Sequence, residues 1–183
     1  MRYFRLKNVR FLGAHVYVHW SVAVVVAGIA ALGIRTPIYA ALLVLSYLGV
    51  IALHEAGHAI VASRLGYEVI AVRIGWFHGL CEYEAPDFEW EEVLVAWGGV
   101  AAQAIVGVPV VLLGALSKAA DPGYFGPVLV FLGYINLGIA AFNLFPAEPF
   151  DGERAWRIIP MLRAQTKARA HTSNALRKSR KRT

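Results

Sequence analysis

IYAALLVLSYLGVIALHEAGHAIVAS, residues 38–63, is an apolar run of 26 residues. As a helix it is long enough to cross roughly 30 Å of hydrocarbon. His54, Glu55 and His58 interrupt it. Ionisable groups near the centre of a membrane helix cost about 2.5–3.5 kcal/mol each, so something must compensate them. The four-residue spacing puts both imidazoles on one helix face, where two nitrogens can bind one metal ion at about 2.0–2.1 Å. Glu55, beside His54, can reach a metal-bound water as general base. The blander alternative is a polar helix–helix contact, with the histidines bonded across a bundle.

The rest of the chain fits a membrane setting. Of 183 residues, 58% are hydrophobic and 16% charged, and the mean hydropathy is +0.53. Average globular domains are about 45–50% apolar and about 25% charged. This composition argues against disorder and against an ordinary soluble domain, and a single cysteine, Cys81, excludes an intramolecular disulfide. Three further apolar stretches stand out at 16–34, 93–116 and 128–145. The first could be read as a signal peptide, but its basic start is long and aromatic-rich. The expected fold is therefore an all-α polytopic membrane protein of about four transmembrane helices. Residues 1–160 form one domain and 161–183 a basic cytoplasmic tail.

The net charge of +6 would suit nucleic acid, but its distribution favours a bilayer. Residues 1–10 carry four basic side chains, the 64–92 loop carries two and the segment from Arg154 onward ten; the remaining connections hold only Arg35 and Lys118. Sixteen against two places both termini and the 64–92 loop in the cytoplasm by the positive-inside rule. Within that loop, YEVIAVRIGW (67–76) reads as a strand or small β-hairpin. The acidic CEYEAPDFEWEE (81–92) reads as a surface loop or a cover near the site. The tail, with eight basic residues and no acidic ones over 161–183, suits anionic headgroups, and no nucleic-acid partner is expected.

A catalytic zinc needs a third protein ligand. The fourth stretch ends in AFNLFPAEPFDGER (141–154), where Pro146 and Pro149 break the helix and Asp151-Gly152 makes a turn. Asp151 is the candidate ligand, although taken alone it reads better as a turn or N-cap residue. His54 and His58 lie roughly 9–15 Å from the cytoplasmic end of their helix, on the membrane side where Asn143 and Asp151 emerge, so one site can hold both motifs. His15 and His19 read as part of an interfacial aromatic belt, and His78 with Cys81 as a weak ligand-like pair over the site entrance. Trp76, Trp90, Trp97 and Trp156 read as interface anchors, Pro109 as a kink, and Gly98, Gly99 and Gly107 as points of close helix packing.

HEAGH (54–58) and NLFPAEPFDG (143–152) together resemble the motifs of the site-2 protease family, M50-type intramembrane zinc metallopeptidases. AWGGVAAQ (96–103) is similar to the family's Gly-rich segment, and VHWS (18–21) to its first-span start. The resemblance covers roughly residues 15–160. It implies one Zn2+ held by His54, His58 and Asp151, with Glu55 as catalytic base and Asn143 orienting substrate or stabilising the oxyanion. It also implies a transmembrane protein or peptide substrate, hydrolysed near its cytoplasmic end by a zinc-activated water. Departures are Glu153, where a second glycine is common, and Gly99 and Gln103 in place of a proline and an asparagine. An inactive relative acting as a membrane-embedded binding module, or a metal or proton transporter, are the competing readings. The apolar outer halves of the spans count against transport, and Glu55 counts for activity.

Overall fold

The computed structural model describes residues 3–76, 78–116 and 125–180. The chain runs β1 (Tyr3–Phe11), β2 (Ala14–His19), α1 (Trp20–Leu32), α2 (Pro37–Arg64), β3 (Val69–Ile74), β4 (Gly79–Tyr83) and α3 (Glu89–Leu116). A helical run follows: α4 (Phe125–Val128), a π-helical segment (Leu129–Ile135) and α5 (Asn136–Asn143). A loop over 144–151 leads to the short α6 (Gly152–Ala155) and to α7 (Ile158–Arg180). Pro37–Arg64, Glu89–Leu116 and Gly126–Asn143 are long and apolar enough to cross a membrane, and Trp20–Leu32 is a shorter apolar helix. Lys118 and residues 181–183 of the basic tail lie outside the described residues.

The first apolar stretch divides in two. Ala14–His19 alternates β-branched and aromatic residues and forms a strand, so the helix begins only at Trp20. His19, expected among interfacial aromatics, is the N-cap of α1: its Nδ1 accepts from the Ser21 amide, and its ring packs against Tyr3 and Trp20. Leu12 and Gly13 both take positive φ (50° and 87°), as a two-residue hairpin turn between β1 and β2 requires.

The β element is larger than the sequence suggests. The strands form one sheet in the order β1-β2-β3-β4, with β2 parallel to β3 and the outer pairs antiparallel. Val16 pairs with Val72, which pairs with Cys81. Ala14, Val69, Val72 and Cys81 close over Ala59 of α2 in a buried cluster. The β3–β4 turn climbs α2: the Tyr47 hydroxyl donates to the Trp76 carbonyl, so the turn reaches about 25 Å along the helix from Arg64. The hairpin therefore lies along α2 over much of the helix's length.

Helices α2 and α3 touch backbone to backbone. A Cβ on Gly57 would lie 2.3 Å from the Gly98 carbonyl oxygen, and one on Gly98 would lie 2.6 Å from that of Gly57. Gly98→Val should therefore force the helices apart, at the roughly 1–3 kcal/mol typical of overpacking or more. A melting curve in detergent reads this as a clear drop in midpoint, and an unchanged midpoint would refute the close crossing.

Candidate metal centre

His54 and His58 point from α2 toward α3 and are anchored there by their Nδ1 atoms. His58 Nδ1 donates to the Val95 carbonyl at 2.7 Å, and His54 Nδ1 lies 2.9 Å from Gln103 Oε1. A carbonyl can only accept, so these bonds put the protons on Nδ1 and leave each Nε2 with its lone pair free. The two Nε2 atoms are 3.1 Å apart. Asp151 Oδ2 lies 3.0 Å from His54 Nε2 and 3.3 Å from His58 Nε2. Donors at about 2.0–2.1 Å around a tetrahedral ion stand about 3.3–3.4 Å from one another, so this triangle fits one. Among the described residues this is the group of three or more His, Cys, Asp or Glu donors that could hold a metal ion. Three lone pairs facing one another inside a protein repel, and a divalent cation is what would bind them together.

Each donor is placed by its surroundings. A Cβ on Gly99 would fall 2.5 Å from His58 Nε2 and 2.6 Å from His54 Cε1, so the helix face opposite the imidazoles must be bare. Asp151 stands at the N-cap position of α6, yet its side chain makes no cap bond; it turns to the imidazoles instead. The loop carrying it folds tightly back on α5, since a Cβ on Gly152 would overlap the Leu144 carbonyl. Two tryptophans fasten this loop. Trp156 Nε1 donates to the Leu144 carbonyl (2.6 Å), Trp97 Nε1 donates to that of Ala155 (3.1 Å), and the two rings meet edge to face. Glu153 of α6 pairs with Arg157 at 2.5 Å, just before α7, and Arg154 pairs with Glu92 at 3.2 Å, tying α6 to α3.

Glu55 is buried, 3% exposed, beneath β4: a Cβ on Gly79 would lie 2.4 Å from its carboxylate oxygen. Asn143 Nδ2 stands 3.3 Å from His54 Nε2. These groups open on a cavity of about 570 Å3 whose walls are part apolar (Val50, Ile51, Ile139, Phe142) and part polar (Asn143, Glu148, Arg154). His78 and Cys81 also line it. Burial pushes the Cys81 thiol up to about 12, with the Glu55 and Glu82 carboxylates adding to the shift, and Cys81 stands outside the donor triangle. The fold brings the five residues singled out in the sequence, His54, Glu55, His58, Asn143 and Asp151, to one cavity. In the sequence Gln103 stands out only as a departure from the motif's asparagine and 81–92 as a possible cover; neither predicts the contact with His54 or the Gly79 wall. A polar residue in an otherwise apolar third stretch was the available signal for Gln103; nothing local marks Gly79.

No protein-family profile matches the chain. It is 34% identical over 100 residues, 54% of its length, to a Synechocystis sp. protein provisionally named a zinc metalloprotease. It is 29% identical over 136 residues, 74% of its length, to a zinc metalloprotease of Methanocaldococcus jannaschii. These matches span 26% and 39% of those two curated proteins. Among solved structures, the site-2 protease from Methanocaldococcus jannaschii superposes with a TM-score of 0.65 at 26% identity, over 86% of this chain and 71% of that one. The resemblance carried by the two motifs is therefore borne out both by relatives in sequence and by a solved fold.

Proposed function

We propose that this chain, which shares the fold and the paired motifs of the site-2 proteases, is an intramembrane zinc endopeptidase that cuts membrane-spanning substrate segments near their cytoplasmic end. The observation that carries the reading is the convergence of His54, His58 and Asp151, with Glu55 alongside, on a cavity set into apolar helices. His54 Nε2, His58 Nε2 and Asp151 Oδ2 would hold the ion. Bound zinc would acidify water toward a pKa of about 7 and polarise the scissile carbonyl. Glu55 takes the proton of the attacking water on a carboxylate oxygen and returns it to the leaving amine. The Asn143 amide, beside His54, donates to the substrate carbonyl and orients it. The apolar wall receives substrate side chains. The substrate helix must unwind to enter, because a helical peptide bond is hydrogen-bonded and shielded.

The same reading places both termini in the cytoplasm. Strands β2 and β3 are adjacent and parallel, so β2 starts beside the end of α2 and runs with β3 along it; β2 with α1, and then α2, cross and return. Helix α1 has 13 residues and covers about 20 Å, with the sheet filling the remaining depth. Residues 1–160 form the peptidase domain. The basic tail continues α7, exposed over 162–169, and lies on anionic headgroups.

The test is metal analysis of the purified protein together with cleavage of a co-reconstituted single-span substrate. Zinc at one equivalent is expected. A chelator should stop cleavage and added zinc restore it. Cleavage that persists after complete metal removal would overturn the proposal.

A further inference from the structure

The side chain of Gln103 is fully buried in α3, yet only half of its hydrogen-bonding capacity is used. Its Oε1 lies 2.9 Å from His54 Nδ1, while its Nε2 has no partner. A buried unpaired amide is costly, and an apolar residue there would pack the helices without that cost. What the fold retains is a single oxygen aimed at one imidazole nitrogen. The residue is also held in place from behind. Asn136, fully buried where the π-helical segment meets α5, donates through Nδ2 to the Gln103 backbone carbonyl (2.8 Å) and to that of Leu132 (3.2 Å). Helical irregularities of this kind recur at functional sites.

The two histidines are secured unequally. The acceptor for His58 is the Val95 main-chain carbonyl, present whatever the residue, whereas His54 depends on one side chain. With no acceptor at Nδ1, the His54 proton can move to Nε2. There it would point at His58 Nε2 and Asp151 Oδ2 and block the ion's place.

We infer that Gln103 is a positioning residue: through Oε1 it locks His54 in the Nδ1–H form and presents the Nε2 lone pair to the metal. This rests on the zinc reading above. Gln103→Met keeps length and flexibility but removes the acceptor. Gln103→Glu restores one, since a carboxylate accepts from Nδ1–H more strongly than an amide.

The experiment measures zinc affinity of the full-length protein in detergent by competition with a chromogenic chelator, together with the visible spectrum of the Co2+-substituted form and the melting of the metal-free protein. Wild type binding no zinc would refute the zinc reading and this inference with it. With wild type binding, Gln103→Met should bind ten- to a hundred-fold more weakly, with an altered Co2+ spectrum and no loss of metal-free stability. Affinity within twofold of wild type would overturn the inference alone. Should Gln103→Met fail to fold, Gln103→Glu decides: affinity within threefold of wild type or tighter supports the lock, and a tenfold loss overturns it.

Discussion

Glu55→Gln is expected to yield a folded, zinc-loaded protein that no longer cleaves. The amide has almost the shape of the carboxyl, so it fits beneath Gly79, where there is no room for anything larger. It cannot take a proton from water, and general-base catalysis contributes typically about 10²–10⁴-fold. The loss should therefore fall on turnover, with zinc content unchanged because Glu55 is outside the donor triangle. Single-turnover cleavage of a reconstituted substrate, with zinc measured on the same sample, separates the two. Turnover within about tenfold of wild type would place the base elsewhere.

Asp151→Asn should do the reverse, emptying the site while sparing the fold. It removes one of three donors and the only formal negative charge among them. Losing a partner that merely supports a ligand costs about 10–100-fold in affinity, so losing the ligand itself should cost more than about a hundredfold. The metal-free variant should be as stable as metal-free wild type, or more so, since an amide N–H can donate to a histidine Nε2 where a carboxylate oxygen faced its lone pair. Zinc raises stability only in proportion to its binding. Added zinc should therefore lift the melting midpoint of wild type and leave that of Asp151→Asn in place. An equal rise in both would remove Asp151 from the ligand set.

Much of the site was legible because membrane burial makes polar residues conspicuous. His54, Glu55 and His58 stand out against an apolar run, and their spacing fixes a shared face. Asp151 was readable only in conjunction with them, since a turn aspartate after two prolines is otherwise unremarkable. Its lack of a capping bond is a fact of three-dimensional structure. The sheet was only half visible. The 67–76 pattern announces a strand, but Ala14–His19, although it alternates, runs into the first apolar stretch and reads as part of that span; its pairing with β3 is non-local. Trp97 and Trp156 read as interface anchors because the loop they fasten has no signature of its own. Gly98 and Gly99, close in sequence, differ in purpose: one admits a neighbouring backbone, the other two imidazole rings.

The β3–β4 hairpin carries a charge that it neutralises itself. Arg73 pairs across the ladder with Leu80, next to the Gly79 that covers Glu55, about 14 Å along α2 from Arg64. Carried there alone, its charge would be as expensive as any other in a bilayer. In the finished sheet it is forked onto Glu82 at 2.7 and 3.0 Å and lies over the rings of Tyr3 and Tyr17. Both rings belong to strands that leave the ribosome before α1 and α2 are made. The ion pair closes within the later hairpin itself, and the N-terminal strands add two aromatic faces that cover the guanidinium. Removing the Tyr3 and Tyr17 rings should accordingly loosen the wall above Glu55 without touching the site itself.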